Sequence, residues 1–232
     1  MSQELPTLEE FVLGVFLHDI GKFMQRAHGS KRSMDPEVRA RQDEVLPQHD
    51  VRRTHLHALW TDAFFHELEN HGVRLPGVRL QPVRDIAVYH HAPSPNIPLT
   101  ELAAQADRLA AGMDRKERDE QDELEAETRG WDAFIRTALK NPFAGVNLGI
   151  GLAKSPDSEI PLGPLIPDDR LLPQPEVATD DYQNRYRSLW DVFFQQFLEA
   201  ARVPSFDLFA EALLSLSERF TFAIPSSTVD EP

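Results

Sequence analysis

The chain contains no cysteine. Disulfide frameworks, thiolate zinc sites, iron–sulfur clusters and cysteine nucleophiles are thereby excluded together. No apolar run approaches the roughly 20 residues that a bilayer-spanning helix requires. Met1-Ser2-Gln3-Glu4 offers neither a basic start nor an apolar stretch of the kind an export signal needs. These absences fit a cytoplasmic protein with no membrane partner. Positive charge is in short supply: 24 Lys and Arg against 38 Asp and Glu leave a formal net charge of −14. A protein that coats nucleic acid or a lipid surface through a basic field is excluded. Any phosphate-bearing ligand must instead be met by a local cation or a bound metal. Glycine is scarce, 11 residues against 18 prolines, which implies stiff non-helical connections. At 232 residues and 41% hydrophobic, the chain can build one large domain or one and a half.

Helical periodicity dominates what remains. Thr7-Leu8-Glu9-Glu10 reads as a capping box. Leu8, Phe11, Val12 and Val15 then carry a single helix toward Lys22. From Lys22 to Arg53 the period is lost, and eight basic residues face five acids, the one clearly positive stretch of the first half. A second helix spans 54–68. A third opens at Pro82, with Val83, Ile86 and Ala87 buried, and stops at Pro93. A fourth covers 99–111, with Leu102, Ala103, Ala106, Leu109 and Ala110 facing inward and Gly112 as its cap. Residues 114–132 hold nine acids against four bases and read as a solvated face or loop. Residues 141–178 are Pro-rich and irregular, with room for a small hairpin. Two aromatic stripes follow, one from Tyr182 to Ala201 and one from Phe206 to Phe220. The expected fold is all-α: a helical bundle over 1–140, the insertion at 141–178, a two-helix extension at 179–224 packed back on the bundle, and a linker from 225 to 232.

Chemistry concentrates in Leu17-His18-Asp19-Ile20-Gly21-Lys22. Neighbouring His and Asp on one helix edge can share an ion, and Lys22 projects from the same face. His90 falls on the apolar stripe of the third helix and is followed by His91. A buried imidazole must find a hydrogen-bond partner or coordinate something. Asp107 borders a small-residue face, where it either pairs with Arg108 or Arg115 or acts as a ligand. His55 opens the second helix as an exposed cap or a ligand. His28, His49, His57, His66 and His71 read as solvated or locally bonded. Imidazole and carboxylate donors without sulfur suit Mn²⁺, Ni²⁺, Co²⁺ and related divalent ions. Four to six such donors suit one ion with open positions or two bridged ions. The matching chemistry is phosphate-ester hydrolysis.

His18-Asp19 with the later His and Asp residues resembles the HD phosphohydrolase superfamily. More narrowly, Leu17-His18-Asp19-Ile20-Gly21-Lys22-Phe23, Ala87-Val88-Tyr89-His90-His91, Ala106-Asp107-Arg108-Leu109-Ala110-Ala111-Gly112 and Phe220-Thr221-Phe222-Ala223-Ile224-Pro225-Ser226-Ser227-Thr228 resemble, in order, the N-terminal region of the large subunit of subtype III-A CRISPR effector complexes. The resemblance implies a permuted all-helical HD domain. It would act as a metal-dependent single-strand deoxyribonuclease, exo- or endonucleolytic, in antiviral defence, within a complex of other effector subunits, guide RNA and target RNA. It implies that His18 and Asp19 are ligands, that His55, His90 and His91 are further ligands, and that Asp107 closes the site around one or two ions. Where the family carries a second His on the His55 helix, this chain has Leu59-Trp60-Thr61, so a ligand there beyond His55 is not assigned. Asp19, His18 and Lys22 are the expected catalytic residues, with Lys22, Arg26, Lys31 and Arg32 binding substrate. The Gly-Gly-Asp-Asp motif with which family members make cyclic oligoadenylates from ATP is absent, and the end at Val229-Asp230-Glu231-Pro232 looks like a domain border. Two other readings stand beside this one. The first is an HD hydrolase of nucleotides or cyclic dinucleotides, whose cyclic-di-GMP members carry a Gly-Tyr-Pro signature missing here. The second is a non-catalytic scaffold domain of the complex.

Overall fold

The computed structural model describes residues 4–29, 33–49, 52–111, 133–143, 159–167, 172–174 and 181–225. Lys31 and Arg32, the Gly112 cap, the acidic stretch 114–132, much of the Pro-rich stretch 141–178 and all of the 225–232 linker after Pro225 lie outside them. The described residues are mostly helical, and none of their helices is long and apolar enough to cross a membrane. In chain order the elements are α1 (Leu8–Leu17), α2 (Ile20–His28), α3 (Pro36–Ala40), α4 (Gln42–Val45), β1 (Gln48–His49), β2 (Arg52–Arg53), α5 (Leu56–Asn70), α6 (Leu80–Val88), α7 (Thr100–Ala111), α8 (Ala133–Arg136), β3 (Leu139–Lys140), β4 (Glu159–Ile160), α9 (Tyr182–Ala200) and α10 (Phe206–Thr221). Each strand pair is antiparallel, with Gln48 opposite Arg53 and Leu139 opposite Ile160.

The capping box forms at the start of α1: Glu10 N donates to Thr7 Oγ1 at 3.2 Å and Thr7 N to Glu10 Oε2 at 2.9 Å. The single helix expected to run toward Lys22 is instead interrupted. His18 and Asp19 form a turn, and α2 restarts at Ile20 and continues to His28, beyond the expected end. Gly29 closes α2 at φ 76° with its N–H on Gln25 O, a left-handed conformation that suits glycine.

Gly21 explains why α2 and α5 cross so closely. A Cβ at this position would lie 2.0 Å from His57 O and 2.4 Å from Thr61 N, so only glycine fits. Above this crossing, α9 lays its aromatic stripe over α2 and α5. Trp190 meets Phe23 edge-to-face at 5.1 Å between ring centroids, and Phe64 meets Phe197 at 5.2 Å. Phe193 and Phe197 pass the contact on to Phe220 and Phe209 of α10. Each such ring, taken from water, contributes on the order of 2–3 kcal/mol, and offset or edge-to-face pairing adds a little more. One apolar core therefore runs from α1 through α10, and the two C-terminal helices complete it.

Two other expectations change at the helices. The third helix begins at Leu80, not Pro82, and ends at Val88, so His90 lies in the following turn and not on the helix. It is nonetheless 3% exposed. On α7, Leu102 and Leu109 point outward at 48% and 70% exposure, and Ala110 is exposed. The inward edge is Thr100, Ala103, Ala104 and half-buried Asp107. Small side chains on that edge let α7 approach α1 with a carboxylate among them.

Candidate metal centre

The turn between α1 and α2, the first turn of α5, the turn after α6 and the middle of α7 meet at one place. Ligand atoms of His18, Asp19 and His90 lie within 4.8 Å of one another, and so do those of His57, His90 and His91. His90 belongs to both trios. Asp107 joins through His18, with its Oδ1 3.2 Å from His18 Nε2. His55 stands at the edge, its ring centroid 3.9 Å from that of His91 and 5.9 Å from that of His57. Four separated stretches of chain thus supply five imidazoles and two carboxylates.

Backbone carbonyls aim two of the rings. His18 Nδ1 is 2.6 Å from Val15 O, and His90 Nδ1 is 2.6 Å from Ala87 O. A carbonyl only accepts, so both Nδ1 atoms carry hydrogen and both Nε2 atoms turn toward the cluster. Around His18 Nε2 stand Asp107 and, at 3.3 Å, Asp19 Oδ2. Burial by itself would push the His18 pKa down, but hydrogen bonds to Asp107 and Asp19 and the charge of Asp19 carry it up to about 10. For Asp19, burial works upward, yet the hydrogen bond from His18 and the positive charges nearby hold the carboxyl well below its usual range. The Asp107 carboxyl is lowered mainly by its hydrogen bond with His18. Burial, reinforced by the His18 charge, takes His90 down to about 4, and burial also drives His57 and His91 down. Those three rings therefore present neutral nitrogens, the form that coordinates a metal.

His57 Nε2 lies 2.9 Å from His91 Nε2 and 3.5 Å from Asp19 Oδ1. Asp19 Oδ1 and His90 Nε2 are buried with no hydrogen-bond partner. Buried polar atoms without partners are uncommon and call for a ligand, water or ion. The donor set, imidazole and carboxylate without sulfur, fits a divalent transition ion.

His18, Asp19, His90 and His91 come together as a set, with Asp107 reaching it through His18 and His55 through ring contacts. His57, read from sequence as solvated or locally bonded, is 7% exposed and sits at the centre. The reason is the entry to α5: His55 adopts a left-handed backbone, φ 60° and ψ 45°, so the helix begins at Leu56 and His57 turns inward. A non-glycine residue in that region carries strain of order 1 kcal/mol. The only sequence signal was the His55-x-His57 spacing at a helix start.

Lys22 stands beside the cluster with its Nζ 2.8 Å from Asp19 Oδ2 and a side chain 42% exposed. Arg26, expected to bind substrate, is turned inward. It is 5% exposed, with Nη2 donating to Pro225 O at 2.9 Å and Nη1 to Lys22 O at 3.4 Å. Its place on the buried face of α2, under α9, makes it a tie between the end of α10 and the site helix. Arg41 and Arg53 of the same basic stretch are engaged by Asp62 and Asp43. Comparison of the chain with protein-family models, characterised proteins and solved structures finds no match, so the site is read from its chemistry.

Proposed function

We propose that the chain is a divalent-metal-dependent phosphodiesterase built on a permuted HD-type helical bundle, and that its substrate is single-stranded DNA. The convergence of His18, Asp19, His57, His90 and His91, with partnerless buried atoms on Asp19 and His90, carries the reading. His18, Asp19 and His90 would hold one ion, with His18 giving up its Nε2 proton on binding. His57 and His91 stand beside it for a second, since the single free nitrogen of His90 can serve only one of the two. Mn²⁺, Ni²⁺ and Co²⁺ suit these donors best. A bound divalent ion supplies charge neutralisation at the phosphoryl oxygens and lowers the pKa of bound water.

The remaining steps belong to side chains. The Val15 and Ala87 carbonyls hold the His18 and His90 rings so that Nε2 of each faces the centre. Asp107 holds His18 from the α7 side. Lys22, partly open to solvent, is within reach of a substrate phosphate and can set its orientation beside Asp19. Among the described residues, Arg26, Arg41 and Arg53 are engaged by partners within the chain, and Lys22 is the cation beside the cluster, so local attraction for a polyanion there rests on Lys22 and the ions. The series of four motifs between residues 17 and 228 supports a place for this nuclease in an RNA-guided type III effector complex, with the other subunits and the guide and target RNAs as partners.

The test is cleavage of a labelled single-stranded oligonucleotide with Mn²⁺. The double variant His18→Ala/Asp19→Ala should lose at least about a thousandfold in rate, matching several kcal/mol of transition-state stabilisation, with an unchanged helical circular dichroism spectrum. Undiminished cleavage by the double variant defeats the proposal. Preferred turnover of a cyclic dinucleotide in direct competition would move the substrate assignment to small nucleotides.

A further inference from the structure

In an uninterrupted helix the His18 carbonyl would accept from Lys22 N, and Gly21 N would donate back to Leu17 O. At the α1–α2 turn Lys22 N donates instead to Asp19 O at 2.9 Å. The His18 carbonyl accepts from the Thr61 hydroxyl at 2.7 Å, and Gly21 N donates to the same Oγ1 at 3.1 Å. One hydroxyl, acting as donor and acceptor at once, thus serves two backbone groups at the interruption. Thr61 is fully buried and lies one helical turn after His57 on α5. The missing Cβ of Gly21 is what admits it: a Cβ there would stand 2.6 Å from Thr61 Oγ1.

We infer that Thr61 is the positioning residue of the metal centre. Its hydroxyl fixes the break between α1 and α2 against α5, and that break presents His18 and Asp19 to His57 and His90. Thr61 itself touches no ligand atom. It acts through the His18 carbonyl and the Gly21 amide, so the helix carrying His57 also sets where His18 and Asp19 stand. A valine of the same shape would fill the space and supply neither bond, which is why Thr and Val are not interchangeable here. The consequence for metal rests on the proposed metal centre; the effect on the turn does not.

Thr61→Ser and Thr61→Ala both lose the methyl group and differ only in the hydroxyl, so comparing them isolates it at similar packing cost. Two quantities are measured on the full chain: Co²⁺ affinity by calorimetry together with the visible Co²⁺ spectrum, and exchange of the Gly21 amide hydrogen. Thr61→Ser should keep both close to the starting protein. Thr61→Ala should lose about 10- to 100-fold in Co²⁺ affinity, the range for losing a group that orients a ligand, with an altered Co²⁺ spectrum and faster Gly21 exchange. Equal Co²⁺ affinity and equal Gly21 protection in the two variants would overturn the inference. If the starting protein itself takes up no Co²⁺, the metal-centre reading fails, and the exchange comparison alone decides whether Thr61 holds the turn. If Thr61→Ala does not fold while Thr61→Ser does, the hydroxyl holds the turn, as inferred. Should neither fold, Thr61→Val, which keeps the packing volume, takes the place of the alanine variant in the same comparison with the starting protein.

Discussion

Two groups of polar residues lie side by side where α5 meets α6 and the turn after it, and they are finished differently. In one, Asp62 Oδ1 accepts from Arg41 Nη1 at 2.5 Å and from Arg84 Nε at 2.8 Å. Arg84 Nη1 continues to Glu69 at 2.6 Å, and the Tyr89 hydroxyl links Arg41 to Glu44. Each guanidinium there has a carboxylate, although Asp62 Oδ2 has no hydrogen bond. In the other, three neutral imidazoles face one another and a partnerless carboxylate oxygen. Both groups draw on α5 and on α6 or the turn after it, but one is built from guanidinium and carboxylate groups and the other from imidazoles and a carboxylate. The ion-pair network is closed on itself and holds α5 to α6 and to the α3–α4 segment. In the imidazole cluster His57 and His91 share a hydrogen bond through their Nε2 atoms, while His90 Nε2 and Asp19 Oδ1 have none, which leaves that group open.

Breaking the closed group should be the most damaging. Asp62→Ala leaves Arg84, 7% exposed, and Arg41 without their shared carboxylate. Removing one partner of a buried ion pair costs about 3–5 kcal/mol, which for a chain of this size means a melting temperature lower by about 6–20 °C. Thermal melts by circular dichroism measure it. A loss of only a degree or two would show that the network is not what secures this layer.

The open group should respond in the opposite sense. His57→Asn keeps a polar side chain at the centre of the cluster and removes an imidazole. Mn²⁺ or Co²⁺ affinity by calorimetry should fall by at least about tenfold, since losing a ligand costs no less than losing the group that orients one. The melting temperature without metal should move by only a few degrees. A large loss of stability with unchanged metal affinity would reverse the comparison and make the cluster structural.

Another buried carboxylate, Glu10, sharpens the contrast through pH. It accepts from Arg79 N, Nε and Nη2 and from Thr7 N. The hydrogen bonds to the Arg79 side chain act first, and its pKa is lowered from 4.5 to about 2. A depressed carboxylate pKa means that its contribution is fully present above about pH 4.5 and is lost as the pH falls toward 2. Arg79 is 41% exposed, so solvent screening keeps the effect to a few degrees. Melts from pH 7 to 2 should show Glu10→Gln costing a few degrees above pH 5, with the difference from the starting protein narrowing from about pH 4.5 and nearly gone at pH 2. A difference independent of pH would assign the effect to packing.

Much of this layout was legible in the sequence because it rests on local rules. Apolar spacing gave the aromatic helices α9 and α10, and the Thr7–Glu10 pattern gave the start of α1. The His18-Asp19 and His90-His91 pairs stood out because such residues beside apolar runs are rarely idle. What escaped depends on the backbone. The α1–α2 break is held by Thr61, 43 residues from His18 in the chain, and no local period encodes it. The left-handed His55 that turns His57 inward is a single dihedral choice set by packing. Arg26 looked like a surface cation within a basic stretch, and only the arrival of Pro225 199 residues later explains its burial. On α7, alanines on both faces hid which one was inward.

The smallest expected effect asks whether the two groups are independent, because Tyr89 belongs to one and immediately precedes the other. Its hydroxyl links Arg41 to Glu44, while His90 and His91 follow in the same turn. Tyr89→Phe removes one hydrogen-bonding group from a network in which Arg41 keeps Asp62 and the exposed Glu44 can be hydrated. The cost should be about 0.5–1.5 kcal/mol, or about 1–6 °C. The phenyl ring stays in its apolar setting and the Ala87 carbonyl still aims His90, so metal affinity should stay within about twofold, as for uncoupled sites. A tenfold drop in Co²⁺ affinity from this single hydroxyl would mean that the closed network sets the position of the open cluster. Stability and metal binding would then be properties of one connected unit, and the Asp62→Ala and His57→Asn variants would have to be read as a coupled pair.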